Sequence, residues 1–196
     1  MDRLVDSEGQ IRWGLYEEPV DLLNYADYHL RTPMGRRVGR IRKHFRVHQF
    51  TFFGFMGPDL VGGLAVVDLR YMSGAFAYVF DRRSGQLCQA SVRSISGAEI
   101  NPTPEQARSQ FRSRKLRIAI SSTTVSAASR DFSVNLQLGP PTAQPIRMCT
   151  RCGYRGWQYT KKTLPIPLTG EVRIGGRVTA IGTPDYRGLM DWTGGY

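Results

Sequence analysis

The stretch Val61–Leu87, VGGLAVVDLRYMSGAFAYVFDRRSGQL, decides the fold. Ala65, Val67, Leu69 and Tyr71 alternate with Val66, Asp68 and Arg70. Met72-Ser73-Gly74 links this run to a second, in which Phe76, Tyr78 and Phe80 alternate with Ala77, Val79 and Asp81. Arg83-Ser84-Gly85 turns the chain again. Successive side chains of a strand point to opposite faces. Period-two alternation broken by glycine-containing turns therefore predicts an antiparallel meander.

The same pattern extends in both directions. His48–Met56 is aromatic on both faces, Phe50 and Phe52 on one and Phe53 and Phe55 on the other. Such a strand is covered on both sides or lines a cavity. Gly57-Pro58-Asp59 makes a turn. Leu87–Ile95 closes the meander, with Cys88, Ala90 and Val92 on one face. Downstream, Leu116, Ile118 and Ile120 form one alternating run, and Phe132, Val134, Leu136 and Leu138 another. Between them and the meander, Thr103, Pro104 and Gln106 match the start of a short helix. Further strands are expected at 144–150, 155–162, 169–174 and 177–182, and Gly175-Gly176 reads as a two-residue hairpin turn. About nine or ten short strands with turn signals predict an all-β antiparallel barrel or curved sandwich.

Residues 1–46 read as a lead-in and 47–196 as the β domain. Within the lead-in, Val20–Leu30 predicts a helical turn or an aromatic loop. Residues 31–46, RTPMGRRVGRIRKHFR, hold seven Arg or Lys and no acid. Val38, Ile41 and Phe45 fall at helical spacing there, which predicts a short amphipathic helix despite Gly35 and Gly39.

Composition narrows the function classes. The net charge of +11 permits attraction to anionic partners, but RNA-binding sheets also need exposed stacking aromatics, so nucleic acid is not the expected partner. No apolar run is long enough for a membrane-spanning helix and the N-terminus lacks a secretory h-region, so the expected location is the cytoplasm. Cys149-Thr-Arg-Cys152 is formally C-x-x-C, yet no second pair accompanies it and all three histidines lie between 29 and 48. On a strand, residues three apart face opposite ways, so no metal site is expected. No phosphate-binding loop, dinucleotide fingerprint, nucleophile elbow or H-E-x-x-H helix occurs, and no cofactor is expected.

Five blocks together resemble a bacterial family designated domain of unknown function 2804. They are Leu23–Arg37, Phe53–Arg82, Thr150–Lys162, Leu168–Val172 and Asp185–Tyr196. The resemblance implies no activity and carries over no catalytic residue. At the level of fold it extends to lipocalin-like double-barrel proteins, among them carotenoid hydratases, and implies a lipocalin-like barrel. Members of the family generally continue into a second β-rich half. The resemblance thus implies a fragment, or a half that self-associates or pairs with another chain, with apolar sheet surface left open.

Three groups of residues are candidates for function. Asp68 and Asp81 sit at the ends of apolar strands, where burial would raise a carboxyl pKa and make a general acid. They would serve a cofactor-independent hydratase, isomerase or cyclase acting on a lipid- or terpenoid-like substrate. Equally, they would cap turns. Tyr71, Tyr78, Trp157 and Tyr159 suit the wall of a cavity for an apolar small molecule, or an ordinary core. Arg36, Arg37, Arg40, Arg42, Lys43 and Arg46 form a basic segment for phosphates or anionic lipid, or a solvated face.

Overall fold

The computed structural model describes residues 3–182 and 184–196. Strand β1 (Gly14–Leu15), a single 3-10 turn at Tyr25–Asp27 and helix α1 (Arg40–His44) come first. Strands β2 (His48–Met56), β3 (Leu60–Asp68), β4 (Ser73–Asp81) and β5 (Leu87–Ser94) form the expected meander. A second run comprises β6 (Ala98–Ile100), β7 (Ser109–Arg112), β8 (Arg117–Ile120), β9 (Thr124–Ala128) and β10 (Phe132–Leu138). Strands β11 (Ile146–Cys152), β12 (Gly156–Ile174), β13 (Arg177–Ile181) and β14 (Arg187–Gly195) complete the chain.

All of these strands join one antiparallel sheet in the order β5-β4-β3-β2-β14-β12-β10-β9-β8-β7-β6. Strand β11 pairs with the first part of β12, β13 with its last part, and β1 with β11. The sheet curls until β6, β7 and β8 pack across β3, giving a half-barrel. The fold class is therefore as the alternation implied.

The meander's two faces are not equivalent. In β2, Thr51, Phe53 and Phe55 point inward and are buried, while Phe50 and Phe52 point outward and are half-buried. In β4 the small residues Ala75, Ala77 and Val79 face inward, and the aromatic row Phe76, Tyr78 and Phe80 faces out. The small inward row leaves room for the facing strands, whose Ile100, Phe111 and Ile118 fill the interior. Each large apolar side chain so buried contributes about 1.5–3 kcal/mol. Leu4, Val5, Ile11, Val20 and Leu23 from the lead-in join the same core. Asn24 holds that segment by accepting from Val5 N at 2.9 Å and donating to Val5 O at 2.8 Å.

Several local expectations are corrected. Residues 155–162 and 169–174 are not separate strands but one, β12, because the register shifts between Thr163 and Ile166 and resumes beyond Pro165. Thr103 starts only a turn: Gln106 N donates to Thr103 O at 3.2 Å, and Ala107 then takes φ 46°. Helix α1 has five residues, and of the anticipated apolar stripe only Val38 is buried. The β12–β13 hairpin turns at Gly175-Gly176 with a positive φ at Gly175 alone.

Candidate functional site

A cleft of about 610 Å³ opens on the outer face of the half-barrel, where β2, β3 and β14 meet the irregular stretch of β12. Register explains its depth. Gly54 faces outward from β2 and lies opposite Gly63 of β3 on one side and Leu189 of β14 on the other. Two opposed glycines remove the side chains that would level the sheet. The rings of Phe52 and Tyr78 lean over the gap, so closely that a Cβ at Gly63 would lie 2.9 Å from the first and 2.7 Å from the second. Met56, Val61, Leu164 and Leu189 add apolar walls.

Charge is confined to the rim. Arg82 and Arg187 both line the cleft, and neither has an ion pair among the described residues. Arg82 reaches only the Gly57 carbonyl, at 3.4 Å. Arg187 donates to the carbonyls of Pro184 at 2.8 Å and Tyr186 at 3.0 Å. Asp185 lies at the same rim, pairs with neither arginine, and leaves the mouth with one net positive charge. The site thus offers an apolar trough whose rim carries two guanidinium groups held by backbone carbonyls and without a carboxylate partner among the described residues.

The aromatics expected to form one cavity wall are not brought together. Tyr78 lines the outer cleft. Tyr71 is exposed in the β3–β4 turn, because the strand ends at Asp68 and Leu69 N donates to Met72 O at 2.9 Å. Trp157 and Tyr159 face inward and are fully buried. Trp157 meets the rings of Tyr28 at 6.1 Å and Tyr196 at 5.5 Å, and Tyr159 those of Tyr16 at 5.6 Å and Trp192 at 6.5 Å. Gly54 and Leu189 were missed, although Gly62-Gly63 in an otherwise largely apolar strand is a sequence signal for close backbone approach.

The two aspartates both close turns. Asp68 accepts from Arg70 N at 2.7 Å and from Arg70 Nη1 at 3.1 Å, and Arg70 Nη2 also reaches Gln49 Oε1 at 2.6 Å. Asp81 is buried and accepts from Arg177, from the Ser84 hydroxyl at 2.7 Å and from Arg83 N at 2.9 Å. The raised pKa expected of Asp81 is corrected. The Arg177 guanidinium, the Ser84 hydroxyl and the backbone N–H groups hold its carboxyl well below the usual range against the opposing effect of burial. A carboxyl so stabilised as the anion is a poor general acid.

The six basic residues lie on helix α1 and the segments flanking it, and five of them are exposed. Arg36, Arg37, Arg40, Arg42 and Arg46 are exposed with no ion pair among the described residues. Lys43 is tied down, donating to Ala26 O at 2.9 Å. Three large apolar side chains stand out among these arginines, Met34 at 86%, Ile41 at 76% and Phe45 at 50% exposure. As for the cysteines, Cys149 is buried, its thiol pushed up to about 12 by desolvation, while Cys152 is exposed. Among the described residues no three His, Cys, Asp or Glu side chains cluster as metal ligands. No described helix is long and apolar enough to cross a membrane.

A family model described as Domain of unknown function (DUF2804) matches residues 1–196. No curated protein matches the chain. Among solved structures, the crystal structure of a protein provisionally designated AttH, from Nitrosomonas europaea, is similar with a TM-score of 0.56 and 13% identity. The match covers 76% of this chain and 51% of that one, so this chain spans about half the length of that structure. At that identity the likeness concerns the fold alone.

Proposed function

The chain belongs to the DUF2804 family, whose description carries no activity, and from the geometry we propose that it binds an apolar small molecule in the outer cleft. One observation carries the reading: a trough of about 610 Å³ has apolar walls, and its charged groups are Arg82, Arg187 and Asp185 at the rim, none of them ion-paired with another. Small-molecule sites measure roughly 300–1,000 Å³ and combine apolar lining with a few convergent polar groups. The ligand lies along Phe52, Tyr78 and Leu189 with its polar end toward Arg82 and Arg187. Leu189→Trp fills the trough from the solvent side of β14 without touching the core. Native mass spectrometry of the purified protein should show a co-purified lipid-like mass that Leu189→Trp loses while its melting temperature is kept. Equal occupancy in both proteins would overturn the assignment of the site.

A second reading rests on the basic surface. Exposed Met34, Ile41 and Phe45 among five free arginines combine the two signals that hold a protein to an anionic bilayer. The apolar residues are mostly not aromatic, which favours lipid over stacked bases. The chain should sediment with vesicles containing phosphatidylserine, and Ile41→Asp should release it. Equal sedimentation with neutral phosphatidylcholine vesicles would sink the reading.

A further inference from the structure

A second cavity of about 210 Å³, on the inner side of the sheet and partly open to solvent beside Ser122 and Pro141, lies between the 101–108 loop, the 139–145 segment and the inward face of β12 and β14. Its walls include Ala107, Ile166, Met190 and Trp192, and its polar end is made by Lys161 and Glu105. The register places an unusual row there. Arg147 of β11 is directly opposite Lys161 of β12, which is directly opposite Trp192 of β14. All three side chains point inward. Like charges facing one another across a ladder repel. Glu105 reaches between them, accepting from Arg147 Nε at 2.8 Å, Arg147 Nη2 at 3.1 Å and Lys161 Nζ at 2.5 Å.

One carboxylate does not balance two cations. The side chains of Arg147, Lys161 and Glu105 are only 9%, 11% and 23% exposed, so the cluster carries a net positive charge largely out of water. A buried charge without a full partner is expensive. Glu18 acts on Arg147 from a distance, but it is exposed and makes no ion pair with it. Excess positive charge at Lys161 and an apolar hollow beside it call for the same thing.

We propose that this inner cavity binds a small organic anion, a monocarboxylate with an apolar body, its carboxylate completing the charge of Lys161. The volume equals about seven water molecules at ~30 Å³ each, which suits the body of a short aliphatic acid. The site is separate from the outer cleft, on the opposite face of the sheet.

Pentanoate is the probe, with pentanamide as its neutral match, each titrated by calorimetry into the full chain. Pentanoate should bind at least tenfold more tightly than pentanamide. Lys161→Met should abolish that preference and yet leave the ligand-free melting temperature unchanged or raised, because it brings the cluster to neutrality. A purely structural lysine would behave oppositely, lowering the melting temperature with no effect on any anion. Thr163→Phe fills the cavity while leaving the three charges in place, and should also lose pentanoate. Leu189→Trp, on the other face, should retain it. Equal affinity for pentanoate and pentanamide, no binding of either, or retention by Thr163→Phe would each overturn the proposal.

Discussion

Replacing Glu105 with glutamine should be among the most damaging single changes in this protein. The substitution keeps the shape but leaves Arg147 and Lys161 facing each other with no anion between them. Removing one partner of a buried ion pair costs about 3–5 kcal/mol, and for a domain of this size each kcal/mol lowers the melting temperature by about 2–4 °C. A loss of about 6–20 °C by calorimetry is expected. The second change Lys161→Met, added to Glu105→Gln, should recover part of the loss, since it removes one of the two opposed cations. Acid should act in the same direction. Burial pushes the Glu105 carboxyl up, but hydrogen bonds from Arg147 and Lys161 and their charges outweigh it and hold the group below its usual range. A depressed folded pKa gives stability that is present above the unfolded value of about 4.3 and lost as pH falls through the folded one. Glu105→Gln should therefore flatten the acid limb of the stability profile. A variant as stable as the wild type at neutral pH would show that the cluster is hydrated and unimportant.

Gly170→Ala should be comparably severe for a reason that involves no charge. Gly170 sits inside β12 at φ +136°, where side-chain-bearing residues are rarely found. It is opposite Leu136 of β10 on one side and Ile181 of β13 on the other. A Cβ there would lie 2.2 Å from the Asn135 carbonyl oxygen and 3.0 Å from Leu136 Cα. Both obstacles are backbone, so no rotamer change relieves them. Backbone strain alone is of order 1–3 kcal/mol, and displacing the ladder adds to it. Gly176→Ala, a few residues on, meets nothing within 4 Å and has no positive φ. It should stay within about 0.5 kcal/mol of the wild type. Equal stability of the two variants in urea titrations would show that β12 can relax around Gly170.

What the sequence made legible was alternation, and what it hid was direction. The runs in β3, β4, β8 and β10 were readable because long apolar periods leave little choice of structure. Strands β6, β7 and β9 were not, being only three to five residues long, and they exist because their neighbours in the sheet complete them. In β4 the alternation identified two faces but not which of them is the core. Phe76, Tyr78 and Phe80 lie outside because β6 crosses close over the inner row. The same ambiguity concealed the charged cluster. In β11, Ile146 and Met148 look like the core pair, yet Arg147 and Cys149 are the buried ones. Glu105, in a turn after two prolines, gains its meaning only from a partner forty-two residues away. Cross-strand register, which no local pattern encodes, is what assembles both the outer cleft and the inner cavity.

The pairing of β2 with β14 bears on how the chain reaches this state. These strands lie near opposite ends of the sequence, and every strand from β3 to β13 is made between them. On the ribosome, the meander emerges early and can pair internally, while the outer edge of β2, rich in phenylalanine, waits for a partner that is made only after β3 to β13. Pairings so distant in sequence close slowly and leave strand edges open to other nascent chains. The interval between the emergence of Met56 and that of Arg187 is thus the period of greatest vulnerability for this protein, and the point at which a chaperone would have most to protect.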